Sequence, residues 1–549
     1  MRSRSKNLFW VFALLAALSF DQLFWEKPGG INFFIFILLA LLGGLIPIWL
    51  ERIPIPWTSY VLLAPIGYFA VMTAFRADPF TSFINGLITL GVVVLFTITL
   101  LNGAWFRFNV RDHLVNICKF ILNCFAGGIL FFVRTKKEGD DPSVDPDEAQ
   151  MADASKPARN KHKFLPILRG TLLALPILVV LTLLLASADP VFSSRLRNLF
   201  SIFDLDRLGE TLFRLVYIVV LAYLLLGAYF FGSVESKAGG PESPEKPLIH
   251  PFLGLVESGI ILSAVNLLFA LFVSLQFTYL FGGTTNIHLE GFTYAEYARR
   301  GFFELLAVGV ISLTLFYALS NITRRETSAQ RRLFSGLGLL LVGLVGLILA
   351  SAYTRLTLYE AAYGFTRLRT LTHIFIIWTG LLLLAVAVLE VTRSLKRVPL
   401  VLILFIIGFG VTLNILNLDR FIVTQNIARS LETTSDEVET ELDTGYLHSL
   451  SYDSIPPLIS FYNRAEAPDP LKDELGGILA CRLAALDSPQ DIPWSSWHAS
   501  RTRAVELLQN STESLADFPV IEKQGELFVE INGRTMSCSG YRAPEMFDD

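Results

Sequence analysis

The chain has 549 residues, 53% hydrophobic and 17% charged, with a mean hydropathy of +0.53 and a formal net charge of −4. A soluble protein carries about a quarter charged residues, so the composition excludes that class. Runs of roughly 20 apolar residues recur instead, each able to cross about 30 Å of hydrocarbon as a helix, and nothing shows the short alternating segments of a membrane β-barrel. The expected fold class is an all-α polytopic membrane protein of about 11 transmembrane helices, followed by a small C-terminal α+β extracytoplasmic domain.

The N-terminus carries Arg2, Arg4 and Lys6 ahead of an apolar run that ends near Phe20. Its small-residue cleavage pattern is poor, so it reads as an uncleaved first crossing rather than a signal peptide. In chain order the expected crossings are 8–25, 31–50, 57–76, 81–102, 165–187, 211–232, 252–281, 301–320, 333–353, 371–391 and 399–417. Segment 105–133 is different. Phe106 to Lys119 mixes charge and bulk as an interfacial helix does, and Ile121 to Val133 is short of a span, so the segment reads as interfacial or re-entrant, with a twelfth crossing as the alternative.

Lysine and arginine in short loops set the orientation. With the N-terminus cytoplasmic, the inner loops carry Arg107, Arg111, Arg134, Lys136, Lys137, Arg324, Arg325, Arg331, Arg332, Arg393, Lys396 and Arg397. An odd number of crossings then leaves the C-terminal domain outside. The organisation is an N-terminal four-span group with its interfacial helix over 1–133, a disordered cytoplasmic linker over 134–163, a seven-span core over 164–418 and the C-terminal domain over 419–549. The linker is rich in Asp, Pro, Ala and Lys and too poor in apolar residues to fold alone. No internal repeat is visible, which weakens a transporter built on inverted halves.

Charge divides the chain. Residues 1–418 hold 35 Lys and Arg against 26 Asp and Glu, whereas residues 419–549 hold 10 against 23. An acidic tail argues against nucleic acid as a partner, because phosphate binding needs a basic surface. In the tail, 420–432 and 436–452 read as helices, Pro456-Pro457 as a break, 471–486 and 495–510 as amphipathic helices, and Phe518–Ile521 with Glu526–Asn532 as a hairpin. Cys481 and Cys538 either pair as a disulfide in an oxidising compartment or stay as two buried thiols.

No metal, nucleotide or hydrolase signature occurs, and the seven histidines are scattered singly, so neither a cofactor nor a metal is expected. The polar interest lies in two tyrosine-rich blocks between the spans. In the first, Glu296, Arg300 and Glu304 share a helical stripe beside Tyr294 and Tyr297, either as an interfacial anchor or as a ligand site. In the second, Arg355, Arg367 and Arg369 face the single acid Glu360 on the outer side, where short loops avoid such an excess. That pattern suits pairing with protein acids, lipid phosphate or another anion. Tyr359 and Tyr363 keep helical spacing until Gly364 stops the helix. Asp189 precedes Pro190 at the end of the fifth crossing, a turn position on the same side. Asp21 lies in the outer part of the first crossing, as a buried acid or as a residue close to water. Glu257 and Asn266 lie on opposite faces of the seventh, and the glycines at 336, 338, 343 and 346 suggest tight packing in the ninth.

Several strings carry a resemblance: Gln276-Phe-Thr-Tyr-Leu-Phe-Gly-Gly283, Phe292 to Leu305, Ala186 to Phe192, Arg355 to Arg369, Asp419 to Arg429 and Leu442 to Asp453. Over roughly 165–460 the chain resembles a bacterial family of multi-spanning membrane proteins known as domain of unknown function 4173, related to number 4153. The resemblance implies a bacterial cell-envelope protein and no activity.

The expected role is non-catalytic: an envelope sensor, scaffold or regulator in the cytoplasmic membrane, whose polar outer face docks its acidic domain. Its partners would be the lipid bilayer and an anionic lipid or envelope protein. The alternative is a lipid-linked transferase using a polyprenyl phosphate, with arginine clamping phosphate and Asp189, Glu296 or Glu304 as base. A small-solute transporter is the third reading.

Overall fold

The computed structural model describes residues 3–137, 189, 205–237, 251–280, 302–432, 442–464, 469–486, 493–523, 526–531 and 534–538. Its helices in chain order are α1 (Ser3–Phe24), α2 (Ile31–Leu50), α3 (Trp57–Tyr60), α4 (Leu63–Met72), α5 (Pro79–Thr99), α6 (Val110–Lys137), α7 (Leu205–Val234), α8 (Leu255–Leu280), α9 (Phe302–Ile322), α10 (Ser328–Tyr363), α11 (Arg367–Val391) and α12 (Val398–Leu416). Among the described residues, eight helices are long and apolar enough to cross a membrane, and Leu8–Phe24 and Trp57–Met72 are shorter apolar stretches. The protein is therefore an integral membrane protein of mostly helical structure. The expected crossing at 165–187 and most of the linker lie outside the described residues.

The segment 105–133 enters, from Val110, one helix, α6, which runs unbroken for 28 residues, about 42 Å of helix, and is not among the eight helices apolar enough to cross a membrane. Its apolar residues keep helical spacing and no proline interrupts them. The crossing at 57–76 is not one helix, because α3 ends at Tyr60 and α4 begins at Leu63. Pro65 has no N–H to give the Val61 carbonyl, so the continuous ladder breaks there.

The chain forms two compact units: residues 1–22 with 122–230, and residues 23–121 with 231–549. In the first, Gly227 lies so close to the backbone of α6 that a Cβ would sit 2.7 Å from the Asn123 carbonyl oxygen. Asp21 is buried. It receives Arg214 Nε at 2.8 Å and Nη2 at 2.6 Å, and also the Tyr217 hydroxyl. An acid at membrane depth needs such partners, and α7 supplies both from one face, three residues apart.

In the second unit α8, α9 and α11 pack around α10, with Phe316, Phe334, Leu341, Val345, Ile348 and Leu349 in the core. Asn266 and Gln276 of α8 both turn to α10, donating to the Leu337 carbonyl at 2.9 Å and accepting from Ser351 at 2.8 Å. Of the four glycines noted in α10 only Gly338 meets a neighbour, the Phe316 ring; the other three face open space. α5 and α12 are joined by a reciprocal amide pair, Asn85 and Asn414, at 3.0 and 2.7 Å, both fully buried. Interhelical hydrogen bonds of this kind fix helix register where lipid supplies no hydrophobic driving force.

Residues beyond α12 form the C-terminal part: α13 (Leu418–Glu432), α14 (Thr444–Ser449), α15 (Ile455–Tyr462), α16 (Asp469–Ala484), α17 (Ala499–Asn510) and strands β1 (Val520–Lys523), β2 (Glu526–Ile531) and β3 (Arg534–Ser537). Ile422, Val423, Leu447, Ile455, Leu458, Leu475, Leu479, Ala504 and Leu508 are among its core residues. Pro456-Pro457 does not break the chain. The prolines begin α15, where a missing N–H costs nothing. The expected helix 436–452 is reduced, within the described residues, to α14, which starts where the Asp443 side chain accepts the Tyr446 N–H at 2.8 Å. The sheet has three antiparallel strands in the order β1-β2-β3, with Val520 opposite Val529 and Val529 opposite Met536. Cys481 on α16 and Cys538 after β3 form a disulfide with Cα atoms 5.3 Å apart, tying the third strand to the helix.

Candidate functional site

Helix alternation in the second unit brings the start of α2, the start of α5, the end of α10, the start of α11 and the end of α12 to the end that bears the C-terminal domain. Arg367 is the first residue of α11. A cation is disfavoured at a helix N-terminus, where the backbone dipole is positive, and two acids hold it there. Asp419, in the first turn of α13, takes Arg367 Nε at 2.7 Å and Nη2 at 2.6 Å and also accepts the Ser451 N–H at 2.7 Å. Asp78, the N-cap of α5, lies 3.1 Å from Arg367 Nε and accepts the Thr81 N–H at 2.8 Å and hydroxyl at 2.6 Å. The Arg367 N–H donates to the Tyr446 hydroxyl at 2.7 Å. One guanidinium therefore ties a membrane helix, the loop before another, and the first helix of the C-terminal domain.

Burial makes this cluster electrostatically tense. Asp419 is 0% and Asp78 2% exposed, against 27% for the Arg367 side chain. Two carboxylates share one cation. The Asp78 pKa is raised: burial pushes it up, the Thr81 hydrogen bonds oppose this, Asp419 raises it further and Arg367 lowers it.

The loop before α5 is gripped at further points. The Asp453 carboxylate accepts the Ala77 N–H at 2.7 Å, the Asn417 amide at 3.2 Å and the Ser500 hydroxyl at 2.6 Å. Arg76 donates through Nε and Nη2 to the Asn414 carbonyl at 2.8 and 2.6 Å. The Ala499 N–H donates to the Ala74 carbonyl at 2.8 Å.

Arg369 is two residues from Arg367 but does different work. α10 runs on to Tyr363 and stops at Gly364, whose φ of +76° is open to glycine. Arg369 Nη1 donates to the Tyr363 and Gly364 carbonyls at 3.1 and 2.5 Å, with its guanidinium 4.0 Å above the Tyr359 ring. Arg429 of α13 donates to the Ala361 carbonyl at 3.3 Å. The two arginines thus satisfy the terminal carbonyls of α10, where cations are favoured. Asn426 closes the turn by accepting the Phe365 N–H at 2.7 Å and donating to its carbonyl at 2.9 Å.

Glu360 is buried and pairs with His373 Nδ1 at 2.9 Å, so it does not balance Arg367 or Arg369. Arg355 is buried on α10, Tyr363 is exposed, Glu304 is exposed in the first turn of α9, and Asp189 is exposed. Tyr294, Glu296, Tyr297 and Arg300 lie outside the described residues. Among the described residues no three or more His, Cys, Asp or Glu side chains group to hold a metal ion.

Sequence reasoning missed Asp78, Asp419, Asp453 and Asn426. Asp78 carried a readable sign, since an Asp-Pro step before an apolar run marks a helix cap; its ionic role did not. The opposite end was also missed: Arg325 lies 3.4 Å from Glu390, which accepts the Ser335 hydroxyl at 2.5 Å, while the guanidinium stands 4.5 Å above Phe334.

A family model described as domain of unknown function (DUF4153) matches residues 63–461, the related one of the two families named from the sequence strings. The matched stretch includes Asp78, Arg367, Asp419 and Asp453 and ends before the disulfide and the sheet. No curated protein and no solved structure matches the chain.

Proposed function

As the chain belongs to the DUF4153 family, we propose that it is a non-catalytic protein of the bacterial cytoplasmic membrane that holds its C-terminal domain on the outer face, as a sensor, scaffold or regulator of the envelope. The observation that carries the reading is Arg367, shared between Asp78 and Asp419. A residue joining two membrane helices to an acidic domain couples the position of that domain to the helices beneath it.

The orientation rests on the basic residues of the short loops. Arg52, Arg107, Arg324, Arg325, Arg331, Arg393, Lys396 and Arg397 lie at or beyond the helix ends away from the domain, as expected for cytoplasmic loops. The outer side would then be that of Asp78, Arg367 and Asp419. The lipid-linked transferase reading is weakened because Arg367 and Arg369, two of the outer-side arginines that could clamp phosphate, already bind carboxylates and backbone carbonyls.

Two measurements test this. An alkaline phosphatase fused to the C-terminus of the full chain should be active in cells, and an inactive fusion would overturn the orientation. Mass spectrometry of the detergent-solubilised protein should find no stoichiometric polyprenyl phosphate; finding one would overturn the non-catalytic role in favour of transfer.

A further inference from the structure

α2 has 20 residues, about 30 Å of helix, which matches the hydrocarbon thickness of a bilayer. Its two ends therefore mark the two membrane boundaries. At the far end Trp49 is exposed, and Trp57 follows it, as in the aromatic belt at a water–lipid boundary. At the near end the first residue, Ile31, donates its N–H to the carbonyl of Trp497 at 3.0 Å. The segment carrying Trp497 belongs to the C-terminal domain, and that single hydrogen bond fixes its depth.

We infer that the C-terminal domain is seated on the bilayer through Trp494 and Trp497, whose indoles occupy the headgroup boundary of the leaflet on the domain side. Trp494 is 74% and Trp497 43% exposed, whereas Ser495 and Ser496 between them are buried. The turn thus directs its small polar side chains inward and its two largest outward. An exposed tryptophan on a soluble surface is costly, but an indole suits headgroup depth, with its ring toward the acyl chains and its N–H toward water. The surface is also continuous with lipid-facing helix. Trp497 packs edge-on against Phe75 at 6.1 Å; Phe75, in the loop before α5, and Phe80 and Phe83, in its first turns, are all exposed. The partner is therefore the bilayer itself, its glycerol and headgroup layer, and the inference requires only that α2 crosses it.

The test uses the full chain in phosphatidylcholine nanodiscs, with Cys118→Ser and Cys124→Ser so that the native disulfide stays intact. A nitroxide is placed at Trp494→Cys and, as the control, at Thr512→Cys. Thr512 is exposed on the same domain beyond the other end of α17, about 18 Å of helix away. Collision with oxygen relative to a water-soluble nickel chelate should be severalfold higher at position 494 than at 512. Equal ratios would overturn the inference, and so would exclusion of both reagents at 494, the result for a contact between two copies. As a check without a label, brominated phosphatidylcholine should quench the fluorescence of the native chain more than that of Trp494→Phe; identical quenching would likewise overturn it.

Discussion

Arg367→Ala removes the cation that bridges two buried carboxylates. Breaking a buried pair from one side costs about 3–5 kcal/mol, because the remaining charge is left without its partner. Two features of the site set the value at the low end. The Arg367 side chain keeps 27% exposure, so water already screens part of the interaction. Asp419 also retains the Ser451 N–H, and Asp78 retains Thr81. We therefore expect about 3 kcal/mol, roughly a hundredfold shift toward a loosened C-terminal domain. The assay is limited proteolysis of the full chain in vesicles with the domain exposed to protease, following release of fragments that contain residues beyond 432. Arg369→Ala is the control. Its bonds go to two carbonyls at the end of α10 and its ring contact to Tyr359, so its loss should cost about 1 kcal/mol and act on the helix end. Equal protection of the native chain and Arg367→Ala would refute the reasoning, as would a larger release for Arg369→Ala.

The remaining predictions concern charge, pH and backbone. Asp78→Asn should be near neutral or tightening in the same proteolysis assay, whereas Asp419→Asn should loosen the domain, because two acids share one cation and Asp419 makes the bidentate bond. The folded pKa of Asp78 is raised, so the native state binds its proton more tightly. Its contribution is complete below the ordinary carboxylate range and fades as pH rises through the raised value; Asp78→Asn should abolish that trend. His448 has the opposite sign. Burial first and Arg482 second push its pKa from 6.5 down to about 4, so stability present above 6.5 is lost as pH falls toward 4. About 2–3 kcal/mol of domain stability should disappear across that window, read by thermal melting, and His448→Gln should flatten the profile; an unchanged profile would exclude His448 as the titrating group. Gly364→Ala should cost about 3 kcal/mol, since its φ and ψ of 76° and 176° suit glycine and a Cβ would come within 2.8 Å of Arg429 and Asn426; a melting temperature within a degree of the native chain would contradict this.

Much of the membrane part was legible because hydrocarbon is an unforgiving solvent. A helix that must bury its backbone polar groups among lipid advertises itself as a long apolar run, and α2, α5, α7 to α9, α11 and α12 stand close to the expected crossings where they are described, while α10 runs on past its expected end at 353 to Tyr363. The reading failed where one residue altered the backbone. Pro65 divides α3 from α4, and Pro456-Pro457 starts a helix where a break was expected, because the effect of proline depends on whether its missing N–H had a partner to lose. The short strand β3, Arg534–Ser537, carried too little periodicity to be found.

By itself the sequence determined that this is a multi-spanning membrane protein with a basic membrane part and an acidic tail, and that arginines gather about the turn between α10 and α11. Which acid meets which arginine was decided only by the tertiary structure. Arg367 and Arg369 stand two positions apart at the start of one helix, so their side chains leave it on different faces. One reaches Asp78 and Asp419, and the other the end of α10. Composition records how many charges a segment holds. Pairing depends on distances of a few ångströms between residues far apart in the chain, and those are set by how the helices pack.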